Sequence, residues 1–174
     1  MQKILTPRFW LAFALVAAGV GLRVAPHPWN FAPVGAIALF AGAHFERRWL
    51  AVVMPLGTML IGDAFIGFHS LMPVIYATYA LIAVLGMLLR ERRDSVPAVG
   101  GGALLSSTIF FVVTNFAVWA MGTTYPKTGA GLATCYLAAI PFFGNTVASD
   151  LIYTAVLFGL FALAERTIPK LAKA

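Results

Sequence analysis

The sequence has little charge. Only 10% of its 174 residues are Asp, Glu, Lys or Arg, against about a quarter in a typical soluble domain. Hydrophobic residues make up 61% of the chain and the mean hydropathy is +0.90. So few polar groups do not cover a water-exposed surface, and a disordered chain has the opposite composition. The composition therefore excludes a soluble enzyme and predicts one integral membrane domain over residues 1–174.

Cysteine and the common catalytic motifs are also scarce. Cys135 is the single cysteine, which excludes an internal disulfide and a cysteine-cluster metal site. The sequence contains no P-loop, no glycine-rich dinucleotide fingerprint, no HExxH and no serine nucleophile elbow. We therefore expect no ATPase within the chain, no metal, no cofactor and no enzymatic activity.

Apolar segments occupy most of the chain. A bilayer core about 30 Å thick requires roughly 20 apolar residues per helix. We predict an all-α bundle of six transmembrane helices, at residues 9–22, 30–45, 49–68, 71–89, 96–121 and 146–164. A cleaved signal peptide is the less favoured interpretation of the first segment, because Arg23 would occupy the −3 position of a site after Ala25.

The distribution of basic residues predicts the orientation. With a cytoplasmic N-terminus, ten of the twelve Lys and Arg residues lie on the cytoplasmic side and only Arg23 and Lys127 lie outside. This predicts a multi-pass protein of the bacterial inner membrane with both termini in the cytoplasm. An even number of crossings requires that residues 129–143, which end near Pro141, form a short re-entrant or interfacial outer helix. The alternative is a seventh span. The basic clusters serve topology and lipid headgroups, so we expect no nucleic-acid partner.

Unusual polar residues collect in the predicted outer half. Ionisable groups within spans are costly, and they usually face a cavity or pair with one another. Asp63 and Asp150 are two such acids, and Arg23 is the candidate counter-ion. Two interpretations stay open: a structural ion pair that locks the bundle, or the lining of a ligand site. The candidate substrate-binding residues are Arg23, His27, Asn30, Asp63, His69, Asn115, Trp119, Tyr125, Cys135, Tyr136 and Asp150.

Three segments resemble the motifs of a family of uncharacterised bacterial membrane proteins. The first is Arg-x-x-Pro-His-Pro-x-Asn-Phe-x-Pro-x-Gly-Ala at residues 23–36, followed by Asp63. The second is Phe-Phe-x-x-Thr-Asn-Phe with Trp119, and the third runs from Tyr125-Pro126 to residues 141–143. The resemblance covers about residues 20–160. That family is in turn similar to the substrate-binding (S) components of energy-coupling factor (ECF) transporters.

The resemblance implies a fold and a function. It implies six helices, an outward-facing pocket for a vitamin-like micronutrient, of which cobalamin is one candidate, and outer loops that close over it. It also implies a transmembrane coupling protein with two ATPases as partner. Small residues of the first helix would dock on that protein, which makes Ala14 and Ala18 the docking candidates.

Three function classes follow. The leading hypothesis is a membrane substrate-binding or uptake protein for a small micronutrient, with affinity from apolar contact and a few polar groups. The first alternative is a membrane enzyme that uses His27 and the two aspartates on a lipid-linked substrate. The second is a structural membrane subunit without a ligand.

Overall fold

The chain folds into helices wherever the computed structural model describes it, at residues 6–168 and Leu171. The part described contains six α-helices and no strand, and a 3₁₀ turn, Arg90–Arg92, precedes the fifth helix. The helices are α1 (Pro7–Val24), α2 (Val34–His44), α3 (Arg48–Ile66), α4 (Met72–Leu88), α5 (Val96–Met121) and α6 (Gly129–Thr167). The helices α1, α3, α5 and α6 are long and apolar enough to cross a membrane. The all-α membrane-protein prediction is therefore confirmed at this level.

Helix α2 occupies the centre of the bundle. It packs against α3, α4 and α6, and every residue from Val34 to Ala43 is buried. Its closest neighbour is α4, where a Cβ on Gly42 would lie 2.1 Å from the Ala83 carbonyl oxygen and one on Gly86 would lie 2.2 Å from that of Leu39. Glycine at both positions therefore lets the two backbones touch, as small residues do between membrane helices.

The predicted second span is wrong in its extent. We predicted a span over residues 30–45, but α2 has only 11 residues, about 16 Å of helix, or roughly half the hydrocarbon core. A turn precedes it, with Asn30 in the left-handed region (φ 59°) and the Phe31 N–H donating to the Pro28 carbonyl at 3.0 Å. An apolar run shows that residues are buried, but it does not give the length of the helix they form. Helix α2 is buried and spans only about half of the hydrocarbon core.

The predicted outer helix over residues 129–143 is also wrong as a separate element. Residues 129–167 form one continuous helix of 39 residues, about 58 Å long. Pro141 lies inside α6 and does not end it. A proline removes one backbone hydrogen bond, and helices in membranes tolerate it because neighbouring helices, Ser or Thr side chains, or small backbone adjustments satisfy the freed carbonyl. The segment is the first part of α6, and it packs on α5 through Cys135, Tyr136 and Phe143.

The alternating helices give the bundle two ends. We call the end with the last turns of α1 and α3 the Asp63 end, and the opposite end, where α5 begins, the Arg93 end. An ion pair between Arg8 and Glu165 joins the start of α1 to the last turns of α6 at the Arg93 end. The described arginines of the predicted cytoplasmic set share this end, whereas Lys3, Lys170 and Lys173 lie outside the described residues. They are Arg8, Arg47, Arg48, Arg90, Arg92, Arg93 and Arg166.

Candidate functional site

A buried network joins three helices at the Asp63 end. The Arg23 side chain of α1 forms an ion pair with Asp63 Oδ1 of α3. The Tyr76 hydroxyl of α4 donates to Asp63 Oδ2 at 2.8 Å. Asp63 is only 2% exposed, so both of its oxygens are hydrogen-bonded inside the protein. Arg23 as counter-ion agrees with the expectation from sequence, whereas the contribution of Tyr76 was missed.

The local sequence explains how Arg23 reaches Asp63. A Cβ added to Gly62 would lie 2.7 Å from Arg23 Cδ and 2.9 Å from its Nε. The absence of a side chain at Gly62 therefore leaves the space in which the Arg23 side chain packs against α3. The Arg23 Nε is buried and, among the described residues, has no hydrogen-bond partner. A buried donor without a partner costs free energy, so the network holds one unused donor.

Asp150 forms a second network, at the start of α2. Its Oδ2 accepts from the Ser107 hydroxyl at 2.6 Å, and the Ala36 N–H also donates to the carboxylate. A Cβ on Gly35 would lie 2.3 Å from Asp150 Oδ1, so glycine permits this approach. The residue before α2 is Pro33, whose side chain has no polar atom with which to cap a helix. Asp150 of α6 therefore supplies the N-terminal cap and the negative charge that a helix start favours.

Arg90 performs the matching task at the other end of α2. Its Nε donates to the Gly42 carbonyl at 2.9 Å, its Nη1 donates to the Glu46 carbonyl at 3.2 Å, and its Nη2 reaches the Phe45 carbonyl. Burial, together with the neighbouring Arg48 and Arg93, lowers the pKa of Arg90 from its usual value. A cation at a helix C-terminus is favourable. Sequence reasoning assigned Arg90 to topology alone and missed this role.

Helix α6 also fixes the connection between α1 and α2. The Asn145 side chain donates to the Trp29 carbonyl at 3.0 Å, and the Ser149 hydroxyl donates to the Ala32 carbonyl at 2.8 Å. The Phe31 ring packs edge-on against Tyr153 at 5.9 Å between centroids. These bonds hold the connection against one wall of the bundle.

Trp119, near the end of α5, contacts the α5–α6 connection. The Trp119 Nε1–H donates to the Pro126 carbonyl at 2.9 Å. The Lys127 ammonium lies over the Trp119 ring, 5.6 Å from its centroid, and also reaches the Trp119 carbonyl. Tyr125, in the same connection, is half-buried. Trp119 therefore braces the turn between the two long helices.

Three further candidates lie on α5 and α6. The Asn115 amide donates to the Phe111 carbonyl of its own helix at 2.8 Å. The Cys135 thiol lies 3.5 Å from the Asn115 carbonyl, and the Tyr136 hydroxyl donates to the Val112 carbonyl at 2.6 Å. The contacts of Cys135 and Tyr136 join the two helices of the hairpin, whereas the Asn115 amide bonds within α5. They are distinct from those that bind Asp63 and Asp150.

The two histidines of the connections at the Asp63 end are exposed. The His27 ring nitrogens bond the Arg23 carbonyl at 3.1 Å and the Pro28 carbonyl at 2.9 Å. His69 is also exposed, and its N–H donates to the Met72 sulfur at 3.4 Å. Asn30 is exposed at the turn before α2. The described contacts of His27 are to backbone oxygens and not to the aspartates.

Tyr79 of α4 has both buried acids among its electrostatic neighbours. The hydroxyl of Tyr79, buried on α4 and stacked on Phe110, is within electrostatic range of Arg23, Asp63 and Asp150. The three charged candidates thus share one buried neighbour, Tyr79, while Arg23 pairs directly with Asp63 alone. Of the residues it describes, no group of three or more His, Cys, Asp or Glu side chains could hold a metal ion.

An open groove lies at the opposite end of the bundle. It runs between the start of α5 and the second half of α6, with a volume of about 730 Å³. We call it the Arg93-end groove, and its lining includes His44, Arg93, Asp94, Phe158, Glu165 and Arg166.

Comparison with known proteins identifies a family. No curated protein matches the chain. No solved structure matches it either. One family model, described as a family of unknown function (DUF6580), matches residues 3–171. Because that match spans nearly the whole sequence, the chain belongs to the family of unknown function DUF6580.

Proposed function

We propose that this protein binds a small solute at the Asp63 end and serves as the solute-binding component of a membrane uptake system. The observation that carries the proposal is the buried network of Arg23, Asp63 and Tyr76, in which the Arg23 Nε has no partner within the described residues. Ionisable groups inside membrane proteins are costly, and they usually belong to a substrate pathway or binding site. The unused Nε supplies one donor for a ligand.

The surroundings of the network suit a solute site. Exposed aromatic side chains lie at this end, on the last turn of α3 and on two connections, with Trp29 80%, Phe65 75% and Phe68 69% exposed. The imidazoles of His27 and His69 are exposed beside them. Solute sites combine apolar contact with a few oriented polar groups. A small zwitterionic or amide-rich molecule, such as a vitamin, matches this chemistry.

The resemblance to S components of ECF transporters supports the choice of uptake. In this proposal a transmembrane coupling protein with two ATPases supplies the energy and docks on α1. Ala14 and Ala18 are exposed on that helix, whereas Ala12, Val16 and Gly19 face the bundle. Small side chains permit close helix approach in membranes. The exposed alanine face is therefore the proposed docking surface.

The test is native mass spectrometry of the protein purified in a mild detergent. We expect the wild-type protein to carry a small molecule, and Asp63→Asn and Tyr76→Phe each to lose it. Asp94→Asn is the matched control, since it makes the same chemical change at the opposite end of the bundle and should leave the bound mass in place. Equal retention by the wild type and Asp63→Asn would refute the proposal.

A structural subunit is the second candidate. It is favoured by the complete pairing of the buried carboxylates, since both Asp63 oxygens accept hydrogen bonds and Asp150 is held by Ser107 and Ala36. A structural role predicts that Asp63→Asn lowers the unfolding temperature while no small molecule is detected on any variant. The two candidates are thus distinguished by the bound mass.

A further inference from the structure

The walls of the Arg93-end groove are apolar and unfilled. On α6 they are formed by one helical face that includes Leu151, Phe158 and Ala162, and α5 contributes the opposite wall. Gly100 on α5 and Gly159 on α6 both line it, and a Cβ added to either would meet no atom within 4 Å in the described part of the chain. Packed interiors leave few voids of this size. The groove is therefore shaped to receive something apolar.

The length of the apolar wall matches one leaflet of a bilayer. From Leu151 to Ala162 the chain climbs eleven helical steps, about 16 Å. Half of the bilayer core is about 15 Å. The charged lining residues, among them Arg93 and Arg166, follow at one end of this wall. An occupant with an apolar chain and a charged head would match both parts.

The charge at that end favours an anionic head. Glu165 lines the groove but is neutralised by its ion pair with Arg8. The remaining Arg and Asp side chains of the lining are Arg93, Arg166 and Asp94, whose formal charges sum to +1; Asp94 and Arg166 are exposed and Arg93 is half-buried. The Arg93 Nε is buried and lacks a hydrogen-bond partner in the described chain. Basic pockets between transmembrane helices bind acidic lipid headgroups.

We propose that the Arg93-end groove binds one acidic phospholipid of the bilayer. One acyl chain lies along α6 against Leu151, Phe158 and Gly159, and the phosphate faces Arg93 and Arg166. This site lies at the other end of the bundle from the solute site proposed above, and it stands or falls independently of that site.

The experiment uses the full chain reconstituted in nanodiscs that contain phosphatidylglycerol and phosphatidylcholine in equal amounts, with identical acyl chains. Native mass spectrometry then counts the lipids retained after release in a mild detergent. About 1 kcal/mol per arginine near a membrane surface corresponds to about a fivefold preference. We expect the wild type to retain phosphatidylglycerol over phosphatidylcholine by at least that factor. Equal retention of the two lipids would overturn the proposal.

A filling variant tests the groove itself. Gly159→Phe places a ring where open space now lies, and the retained phosphatidylglycerol should be lost. Gly144→Phe is the matched control, because Gly144 lies in the same helix, also faces open space in the described structure and does not line the groove. Retention by Gly159→Phe at the wild-type level would contradict the proposal. Gly100→Leu on the opposite wall gives an independent version, should Gly159→Phe fold poorly.

Two further variants separate the head from the chain. Arg93→Gln combined with Arg166→Gln should abolish the preference for phosphatidylglycerol. Thr154 lines the groove, and its hydroxyl has no partner in the described chain. Thr154→Val keeps the shape and removes that hydroxyl, so lipid retention should stay equal or rise. A fall in lipid retention for Thr154→Val would contradict the placement of an acyl chain there.

Discussion

The two ends of the bundle use their charged residues in different ways. At the Asp63 end the two acids are buried, and their oxygens accept hydrogen bonds from other helices. At the Arg93 end, charged side chains line an open groove. Polar residues in an apolar sequence therefore do not by themselves show where a cavity lies. The same residue types are hydrogen-bonded between helices at one end and border an open groove at the other.

Glycine shows the same contrast. Gly35 and Gly62 lie against charged side chains, so that a Cβ on either would come within 3 Å of Asp150 or Arg23. At the Arg93-end groove, Gly100 and Gly159 face open space in the described structure. Replacing glycine with a larger residue should therefore disturb packing at Gly35 and Gly62 but not at Gly100 and Gly159.

The largest difference between the ends should come from Asp63→Ala. It leaves the Arg23 guanidinium buried without its counter-ion, which costs about 3–5 kcal/mol when a buried pair is broken. The exposed Asp94 at the opposite end should tolerate the same change within about 0.5 kcal/mol. Unfolding midpoints of Asp63→Ala and Asp94→Ala, measured by circular dichroism in one detergent, test the contrast. Similar midpoints for both variants would show that the Asp63 network does not stabilise the bundle.

A smaller effect is expected from enlarging glycine. Gly42→Leu forces apart α2 and α4, where a Cβ already lies 2.1 Å from the Ala83 oxygen, and overpacking typically costs about 1–3 kcal/mol. Gly159→Leu faces open space and should be neutral or slightly stabilising, because leucine also has the higher helix propensity. Thermal unfolding of both variants under one condition gives the comparison. A stable Gly42→Leu variant would contradict the close approach of α2 and α4.

The smallest effect concerns single hydroxyl groups. Ser107→Ala removes a donor from the buried Asp150 carboxylate and should cost about 1–2 kcal/mol. Thr154→Val removes a hydroxyl that has no partner among the described residues, and its cost should be near zero. The two variants are compared by chemical denaturation in matched micelles. If Thr154→Val were the more destabilising of the two, the Thr154 hydroxyl would have a stabilising partner, and the expected difference between the two hydroxyl groups would be wrong.

Much of the fold was predictable from the sequence. Apolar runs located the helices, because burial in a membrane requires continuous hydrophobic segments. The collection of arginines at one end followed from the same expulsion of charge from lipid. The pairing of Arg23 with Asp63 was also accessible, since isolated charges inside a membrane seek a counter-ion.

The rest depended on contacts between distant residues. Asp150 caps α2 beside Gly35, although the two residues are 115 positions apart in the sequence. Composition and spacing carry no signal for that contact, nor for the Tyr76 and Ser107 bonds. Pro141 misled us for a different reason: proline was taken as the end of a helix, but a long apolar helix continues through it.

The capping of α2 by other helices has a consequence for biosynthesis. The chain is made from the N-terminus, so α2 is complete long before Arg90, and longer still before Asp150, leaves the ribosome. Until then its end groups lack the charged residues that compensate them in the finished protein. We expect α2 to take its central place only when α6 arrives, so that the assembly of the bundle finishes, rather than starts, at its middle.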